Sequence, residues 1–235
     1  MALLAGFARP AMAGDVAKQK VECEGARYEY LLFAQGHEPQ PAVLLLHGAG
    51  GTPDPMIDAW KKFAKKNGIA LIAPAVPRDL KFEPVAPAVF HCFVRDAEKH
   101  ASIDPQKVYL FGYSMGGYLA FDAAMFDSEN YAGIAVYANG ITDDYASIVD
   151  RAKRKIPVTL YVGDNDKVYP IAQVRKTREL LEKHGYTVQY LELKGEDHNY
   201  FATADRVNED TWKFFMNHPM AGKAATAEPK GQTHP

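Results

Sequence analysis

The sequence has little of what several large classes of protein require. Its 235 residues carry 27 basic and 29 acidic side chains, for a net charge of −2, and no block of Lys or Arg. A nucleic-acid partner is therefore not expected. The longest apolar stretches, such as Val85–Val94, are far shorter than the ~20 residues of a membrane span. Since 47% of the residues are hydrophobic and no 20–50-residue repeat is visible, one large α/β domain is expected.

Cysteine is also scarce, with Cys23 and Cys92 as its only occurrences. Neither lies in a nucleophile-like sequence, and no CxxC motif is present. The two cysteines could form a disulfide if the chain is exported, or they could be two separate buried thiols.

The two ends of the chain differ in composition from its middle. Residues 2–8 are apolar and Ala11-Met12-Ala13 fits the small-x-small cleavage rule, although a basic n-region is missing. We therefore expect a leader or signal-peptide remnant at 1–20, a folded domain at 21–218 and a disordered tail at 219–235. A periplasmic or secreted location follows from the leader, with a cytoplasmic location as the alternative.

Buried apolar runs alternate with helically spaced apolar residues along the domain. Strands are predicted at 21–25, 27–34, 43–46, 69–73, 107–111, 133–137, 157–162 and 187–193, and helices at 56–67, 87–100, 115–127, 143–154, 171–184 and 204–217. This alternation predicts a mostly parallel sheet of about seven or eight strands with helices on both faces. The short interval between 133–137 and 143–154 leaves no room for a large helical lid.

A serine stands in a glycine frame between one of these strands and its helix. Gly112-Tyr113-Ser114-Met115-Gly116 fits the GxSxG nucleophile elbow, in which small residues two positions away prevent a backbone clash in a tight turn. The helix behind Ser114 directs its positive dipole end at an anionic oxygen. The motif therefore predicts Ser114 as a nucleophile; a glycine-rich turn with a capping serine is the structural alternative.

A glycine-rich loop, His47-Gly48-Ala49-Gly50-Gly51, follows the strand at 43–46. Glycine lets backbone N–H groups face a developing oxyanion, and each such donor contributes ~2.7–4 kcal/mol in a dry site. We predict the N–H groups of Ala49 and Met115 as this oxyanion hole, with Gly50 as a further donor. His47 is predicted to hold the loop by bonding its backbone.

Two aspartates compete for the next role. Asp164 and Asp166 follow the strand at 157–162, where a carboxylate could orient a histidine. The residues alone do not choose between them. A metal site from Asp164, Asn165 and Asp166 is another interpretation, but the glycine and distal glutamate of an EF-hand loop are missing.

His198 follows the last predicted strand, within Lys194–Phe201, and is the predicted base. The order serine, aspartate, histidine along the chain is the one that this kind of fold uses. The other histidines lie in helical patterns, in an early loop or near the tail.

With these motifs in place, the chain resembles the α/β-hydrolase superfamily over roughly residues 21–217. It looks like the compact esterases of the polyhydroxyalkanoate-depolymerase, feruloyl-esterase and dienelactone-hydrolase groups, in which a G-x-x-D-x-x-V-P-like segment carries the triad acid. The segment Gly163–Pro170 matches with one inserted residue, which places the acid at Asp166. A dienelactone hydrolase would have cysteine at position 114, so Ser114 favours ordinary ester hydrolysis.

The resemblance implies a serine esterase with a Ser114–His198–Asp166 triad, without a metal or an organic cofactor. Its substrate is expected to be a small-molecule or polymeric ester, bound in an open site between loops 74–84 and 139–145. The sequence leaves the oligomeric state open. The predicted substrate-binding residues are Gly50, Tyr113, Tyr169, Tyr200 and Phe201.

Two other functions fit the same residues. One is a peptidase or acyl-aminoacyl hydrolase on the same fold, and the other is a hydrolase-fold protein that binds a ligand without chemistry.

Overall fold

The computed structural model describes residues 12–76 and 85–219, and the strands within them form one sheet. These strands are β1 (Met12–Cys23), β2 (Ala26–Gly36), β3 (Gln40–Leu46), β4 (Ala70–Pro74), β5 (Ile103–Tyr113), β6 (Gly133–Tyr137), β7 (Val158–Gly163) and β8 (Val188–Leu193). Their order across the sheet is β1-β2-β4-β3-β5-β6-β7-β8. The pairs from β4 to β8 are parallel, whereas β1 and β2 are antiparallel to their neighbours. The predicted mostly parallel sheet is confirmed.

Helices cover both faces of this sheet, as predicted. They are α1 (Pro53–Asn67), α2 (Pro87–His100), α3 (Met115–Phe126), α4 (Ala146–Arg151), α5 (Ile171–Lys183) and α6 (Tyr200–Asn217). Helices α1 and α6 bury Trp60, Val207 and Phe215 against one face, and α2 to α5 bury a larger core on the other. The central strands β3 to β7 are therefore buried on both sides, which explains their continuous apolar runs.

The parallel strands β3, β5, β7 and β8 all end at one edge of the sheet, where parallel α/β sheets bind ligands. Ser114, Asp166 and His198 lie just beyond those ends. The connection from β6 to α4 contains a single 3₁₀ turn, Asp143–Tyr145, so no helical lid is inserted at this point.

The first strand is longer than the sequence predicted. We expected a hairpin from Val21, but β1 begins at Met12 and pairs with β2 as far as Gly36. The consecutive polar residues Lys18–Lys20 give no alternating apolar pattern in the sequence, although burial does alternate along this part of the strand and Val21 and Cys23 pack against the core. The predicted boundary between a leader at 1–20 and a domain at 21–218 is therefore wrong for residues 12–20, which belong to the sheet.

Cys23 and Cys92 form a disulfide that joins the end of β1 to α2. Their Cα atoms are 6.0 Å apart across a sequence separation of 69 residues. The sequence left open a disulfide or two separate buried thiols, and the structure contains the disulfide.

Three sequence predictions concern residues beyond the described ranges. Most of the predicted leader, residues 77–84 of loop 74–84 and nearly all of the tail at 219–235 lie outside 12–76 and 85–219. Within those ranges, none of the helices is both long and apolar enough to cross a membrane.

Candidate active site

The predicted elbow forms a sharp turn between β5 and α3. Ser114 has φ 53° and ψ −124°, a conformation that is uncommon for a residue with a side chain. Its N–H donates to the Tyr137 carbonyl at 2.9 Å, which holds the turn against β6. A Cβ on Gly112 would lie 2.3 Å from the Gly116 carbonyl oxygen, and one on Gly116 would lie 2.0 Å from that of Leu46. Both flanking positions therefore require glycine.

The turn places the Ser114 hydroxyl beside an imidazole. Ser114 Oγ lies 2.9 Å from His198 Nε2, and His198 Nδ1 lies 2.8 Å from Asp166 Oδ2. With a proton on Nδ1, the ring donates to the carboxylate and accepts from the hydroxyl. The structure thus brings together three side chains that are 32 and 84 residues apart in the sequence.

Asp166 is fixed from both of its oxygens. Its side chain is 0% exposed, and Oδ1 accepts the N–H groups of Val168 and Tyr169, each at 2.8 Å. These bonds hold the Oδ1 side of the carboxylate and leave Oδ2 for the imidazole.

Asp164 has a different partner from the one considered for it in the sequence. Its Oδ1 accepts the N–H of Gly195 at 2.7 Å, in the loop that carries His198. Of the two aspartates, Asp166 is thus the one that contacts the histidine, as the family resemblance implied. The two neighbouring carboxylates bind different groups rather than converging on one point.

The loops after β7 and β8 are tied together by further bonds that the sequence did not reveal. The Asn165 N–H donates to the Glu196 carbonyl at 2.9 Å, and the Tyr137 hydroxyl donates to the Asp197 carbonyl at 2.9 Å. Tyr137 ends β6, so its position at the carboxyl edge of the sheet was the available signal. These bonds fix the loop that carries His198.

The glycine-rich loop lies on the other side of Ser114. The His47 ring donates from Nδ1 to the Gly48 carbonyl at 2.8 Å, as expected of a residue that holds the loop. Burial lowers the pKa of this histidine, although that bond opposes the effect. Ala49 and Gly50 are exposed, and neither they nor Met115 donate their N–H to a backbone acceptor within the described residues.

Among the four aromatic residues predicted to line the site, one prediction is wrong. Tyr200 is fully buried, and its hydroxyl donates to Asn208 Oδ1 at 2.6 Å. It is the first residue of α6, which begins four residues earlier than predicted and turns this side chain into the core. Its neighbour Phe201 is 41% exposed.

The other two aromatic residues are partly buried. The Tyr113 ring lies 5.5 Å from the His198 ring and 5.5 Å from that of Phe201. Burial and the nearby Asp166 raise the pKa of Tyr113, so its hydroxyl stays neutral at physiological pH. Tyr169 donates its hydroxyl to the Gly140 carbonyl at 3.2 Å and so joins the acid loop to the segment after β6.

Comparison with known proteins places the chain among hydrolases. The model of the dienelactone hydrolase family matches residues 79–226. "Putative esterase NocK" of Nocardia uniformis subsp. tsuyamanensis is 29% identical over 180 residues, which cover 69% of this chain and 52% of that protein. "Acyl-protein thioesterase 1" of Gibberella zeae is 21% identical over 207 residues, covering 72% of this chain and 88% of that protein.

Solved structures agree on the fold. The crystal structure of a thermostable esterase superposes with a TM-score of 0.70 at 21% identity, covering 87% of this chain and 63% of that one. The chain thus spans about half the length of the NocK protein and less than two thirds of that esterase. At this level of identity the likeness establishes the shared α/β-hydrolase fold.

Proposed function

The chain belongs to the dienelactone hydrolase family, and from this membership we propose that it hydrolyses carboxylic esters through an acyl-enzyme formed on Ser114. The observation that carries the proposal is the continuous hydrogen-bond chain from Ser114 through His198 to Asp166. Serine occupies the position where the family resemblance would place cysteine in a dienelactone hydrolase. An alkoxide-type nucleophile suits ordinary esters when a general base removes its proton.

In the first step, Ser114 Oγ attacks the ester carbonyl carbon while His198 Nε2 takes the hydroxyl proton. The 2.9 Å separation of these atoms supports direct transfer. The imidazolium that forms is stabilised by Asp166, whose buried carboxylate also fixes the Nδ1–H tautomer. Nε2 then gives the proton to the leaving alcohol, and water repeats the sequence on the acyl-enzyme.

The N–H groups of Ala49 and Met115 are proposed to hold the oxyanion, with Gly50 as a further donor. Met115 is the first residue of α3, so its N–H lies at the positive end of the helix dipole. Each donor of this kind is worth ~2.7–4 kcal/mol of transition-state stabilisation.

The decisive experiment replaces Ser114 by alanine and measures turnover of p-nitrophenyl butyrate. We expect a loss of at least ~10³-fold in kcat, with little change in melting temperature, because the hydroxyl contributes to chemistry rather than to packing. Ser147→Ala is the matched control, since Ser147 is exposed on α4 and contributes nothing to the hydrogen-bond chain of the triad. Turnover by Ser114→Ala within tenfold of the parent would refute the nucleophile assignment.

Two further assays separate the alternative functions. Labelling by a fluorophosphonate probe, lost in Ser114→Ala, is expected of a hydrolase and not of a protein that only binds a ligand. The p-nitroanilide with the same butyryl group distinguishes an esterase from a peptidase or acyl-aminoacyl hydrolase, and we expect the ester to be the faster substrate.

We also propose that the protein works in the periplasm or outside the cell. The Cys23–Cys92 disulfide supports this location, since disulfides persist in oxidising compartments and are rare in the cytosol. Thiol alkylation of the protein from fractionated cells tests it: the exported fraction should contain no alkylated cysteine. A fully alkylated protein confined to the cytoplasmic fraction would contradict the proposal.

A further inference from the structure

A cleft of about 550 Å³ lies beside the imidazole of His198. Its lining includes Tyr113, Val168 and Phe201 and also polar side chains, among them Lys167 and Asp197. We infer that this cleft binds the alcohol part of the ester, and that Val168 and Phe201 select esters of apolar or aryl alcohols. The inference rests on the proposed esterase function. It places the alcohol side of the scissile bond in the cleft next to His198.

The chemistry of the first step decides which part of the substrate enters the cleft. When the Ser114 Oγ–carbon bond forms and the carbon–alkoxy bond breaks, the departing oxygen must take its proton from His198 Nε2. The alcohol therefore has to lie on the side of the imidazole. The carbonyl oxygen has to point to the opposite side, toward Ala49 and Met115. Within the described residues, the cleft is lined by the end of β5, the loops after β7 and β8 and the start of α6, so it is on the histidine side.

Two side chains in the lining of the cleft are apolar although they are exposed. Val168 is 70% exposed and Phe201 is 41% exposed, which makes them two of the few large hydrophobic side chains that face solvent in the described residues. An alkyl or aryl group between them would remove apolar surface from water on both sides. This is the physical basis for a preference for apolar alcohols.

Both walls are also held in place before a substrate arrives. The Val168 N–H donates to Asp166 Oδ1 at 2.8 Å, so the backbone that presents this side chain is fixed by the triad acid itself. Phe201 lies in the first turn of α6, edge-on to Tyr113 with ring centroids 5.5 Å apart. A rigid, preformed wall loses little entropy on binding, which makes it an effective determinant of specificity.

An alcohol subsite has a kinetic signature that an acyl subsite lacks. The alcohol departs when the acyl-enzyme forms, so the walls can influence acylation but not deacylation. Esters that share an acyl group pass through the same acyl-enzyme, and their difference appears in kcat/KM. An acyl subsite would instead influence both steps.

The test measures kcat/KM of Phe201→Ala and Val168→Ala with two substrate series. One series varies the alcohol on a constant acyl group, as methyl, butyl and benzyl acetate, and the other varies the acyl group on methanol, as methyl acetate, butyrate and hexanoate. We expect Phe201→Ala to lower the benzyl-to-methyl ratio about tenfold, as the loss of most of one aromatic contact predicts. Val168→Ala should lower it about threefold. The ratios within the acyl series should stay unchanged.

Phe126→Ala is the matched control, since Phe126 is 59% exposed but lies at the far end of α3, roughly 18 Å along the helix from Ser114. It should leave both series unchanged. A Phe201→Ala effect on the acyl series, or equal losses in both series, would overturn the assignment. A failure of the esterase proposal is distinguishable, because the parent enzyme would then turn over neither series of esters. A parent enzyme that hydrolyses methyl acetate, with an alcohol series that Phe201→Ala leaves unchanged, refutes the subsite alone.

Discussion

The two halves of the site are positioned by different physical means. The elbow around Ser114 is held by close backbone contacts, with Gly116 pressed against the Leu46 carbonyl and a strained φ at the serine. The loops that carry Asp166 and His198 are held by hydrogen bonds from side chains to backbone. The nucleophile therefore depends on the shape of the main chain, and the acid–histidine pair depends on polar groups.

This difference predicts different responses to mutation. A side chain added at Gly112 or Gly116 would clash with the backbone, so it should reduce stability and activity together. A polar group removed from the loops leaves the main chain able to adopt its path, so activity and stability should separate. Substitutions in each half of the site test that contrast.

Asp166→Asn should lower kcat by about 10³–10⁴-fold, because an amide can donate to His198 Nδ1 and stabilise the wrong tautomer. Its Oδ1 can still accept from Val168 and Tyr169, so the melting temperature should fall by only a few degrees. Turnover of p-nitrophenyl acetate and thermal unfolding measure the two quantities. A variant with more than a tenth of the parent kcat would show that the hydrogen bond to His198 is dispensable. Asp164→Asn, two residues away, is the matched control.

Gly116→Ala should cost about 3 kcal/mol or more in the free energy of unfolding, because its Cβ would lie 2.0 Å from the Leu46 oxygen. Activity should be lost with stability, since the same shift displaces Ser114. Denaturant titration and fluorophosphonate labelling report the two effects. The control is Gly185→Ala, where φ is +80° but no atom lies within 4 Å of the added methyl group; it should cost only ~1–2 kcal/mol. Equal costs for the two variants would contradict the packing argument.

Tyr200→Phe tests the core shared by the two halves. The Tyr200 ring contacts those of Tyr113 and Tyr137, and its hydroxyl donates to Asn208, which in turn donates to the Ala59 carbonyl. The substitution leaves the Asn208 oxygen without its donor and should cost ~1–2 kcal/mol of stability. Because the hydroxyl points away from the site, kcat/KM for methyl acetate should change less than twofold. A tenfold loss of activity at unchanged stability would show that the Tyr200 hydroxyl does contribute to the active site.

The position of Tyr200 could not be predicted from local sequence patterns. The strands β3 to β7 and the motif at Ser114 could be predicted because continuous apolar runs and the GxSxG spacing are local patterns. The side of α6 on which Tyr200 falls depends on where the helix begins, and the side chain of the N-cap residue, Asn199, makes no capping hydrogen bond that would fix this start. The pairing of β1 beyond Val21 and the disulfide depend on contacts between distant residues, which no local pattern encodes.

The choice between Asp164 and Asp166 also could not be made from a local pattern of residues. Both follow β7, and the residues themselves do not distinguish them; the choice came from the spacing of the segment Gly163–Pro170 in related families. In the structure the two carboxylates have different partners: Asp164 accepts the Gly195 N–H, whereas Asp166 bonds to His198. The sequence therefore identified both aspartates as candidates, and the contacts in the structure show which of them bonds to His198.

Asp164→Ala should therefore give the smallest loss of stability of the set. It removes the acceptor for the Gly195 N–H, a bond at 2.7 Å in an exposed position, and should cost ~0.5–1.5 kcal/mol of stability. The Asn165 N–H and the Tyr137 hydroxyl still hold the histidine loop, so kcat should fall less than tenfold. Urea unfolding and p-nitrophenyl acetate turnover measure both. A loss as large as that of Asp166→Asn would mean that the histidine loop depends on one bond, and that the two aspartates act as a single unit.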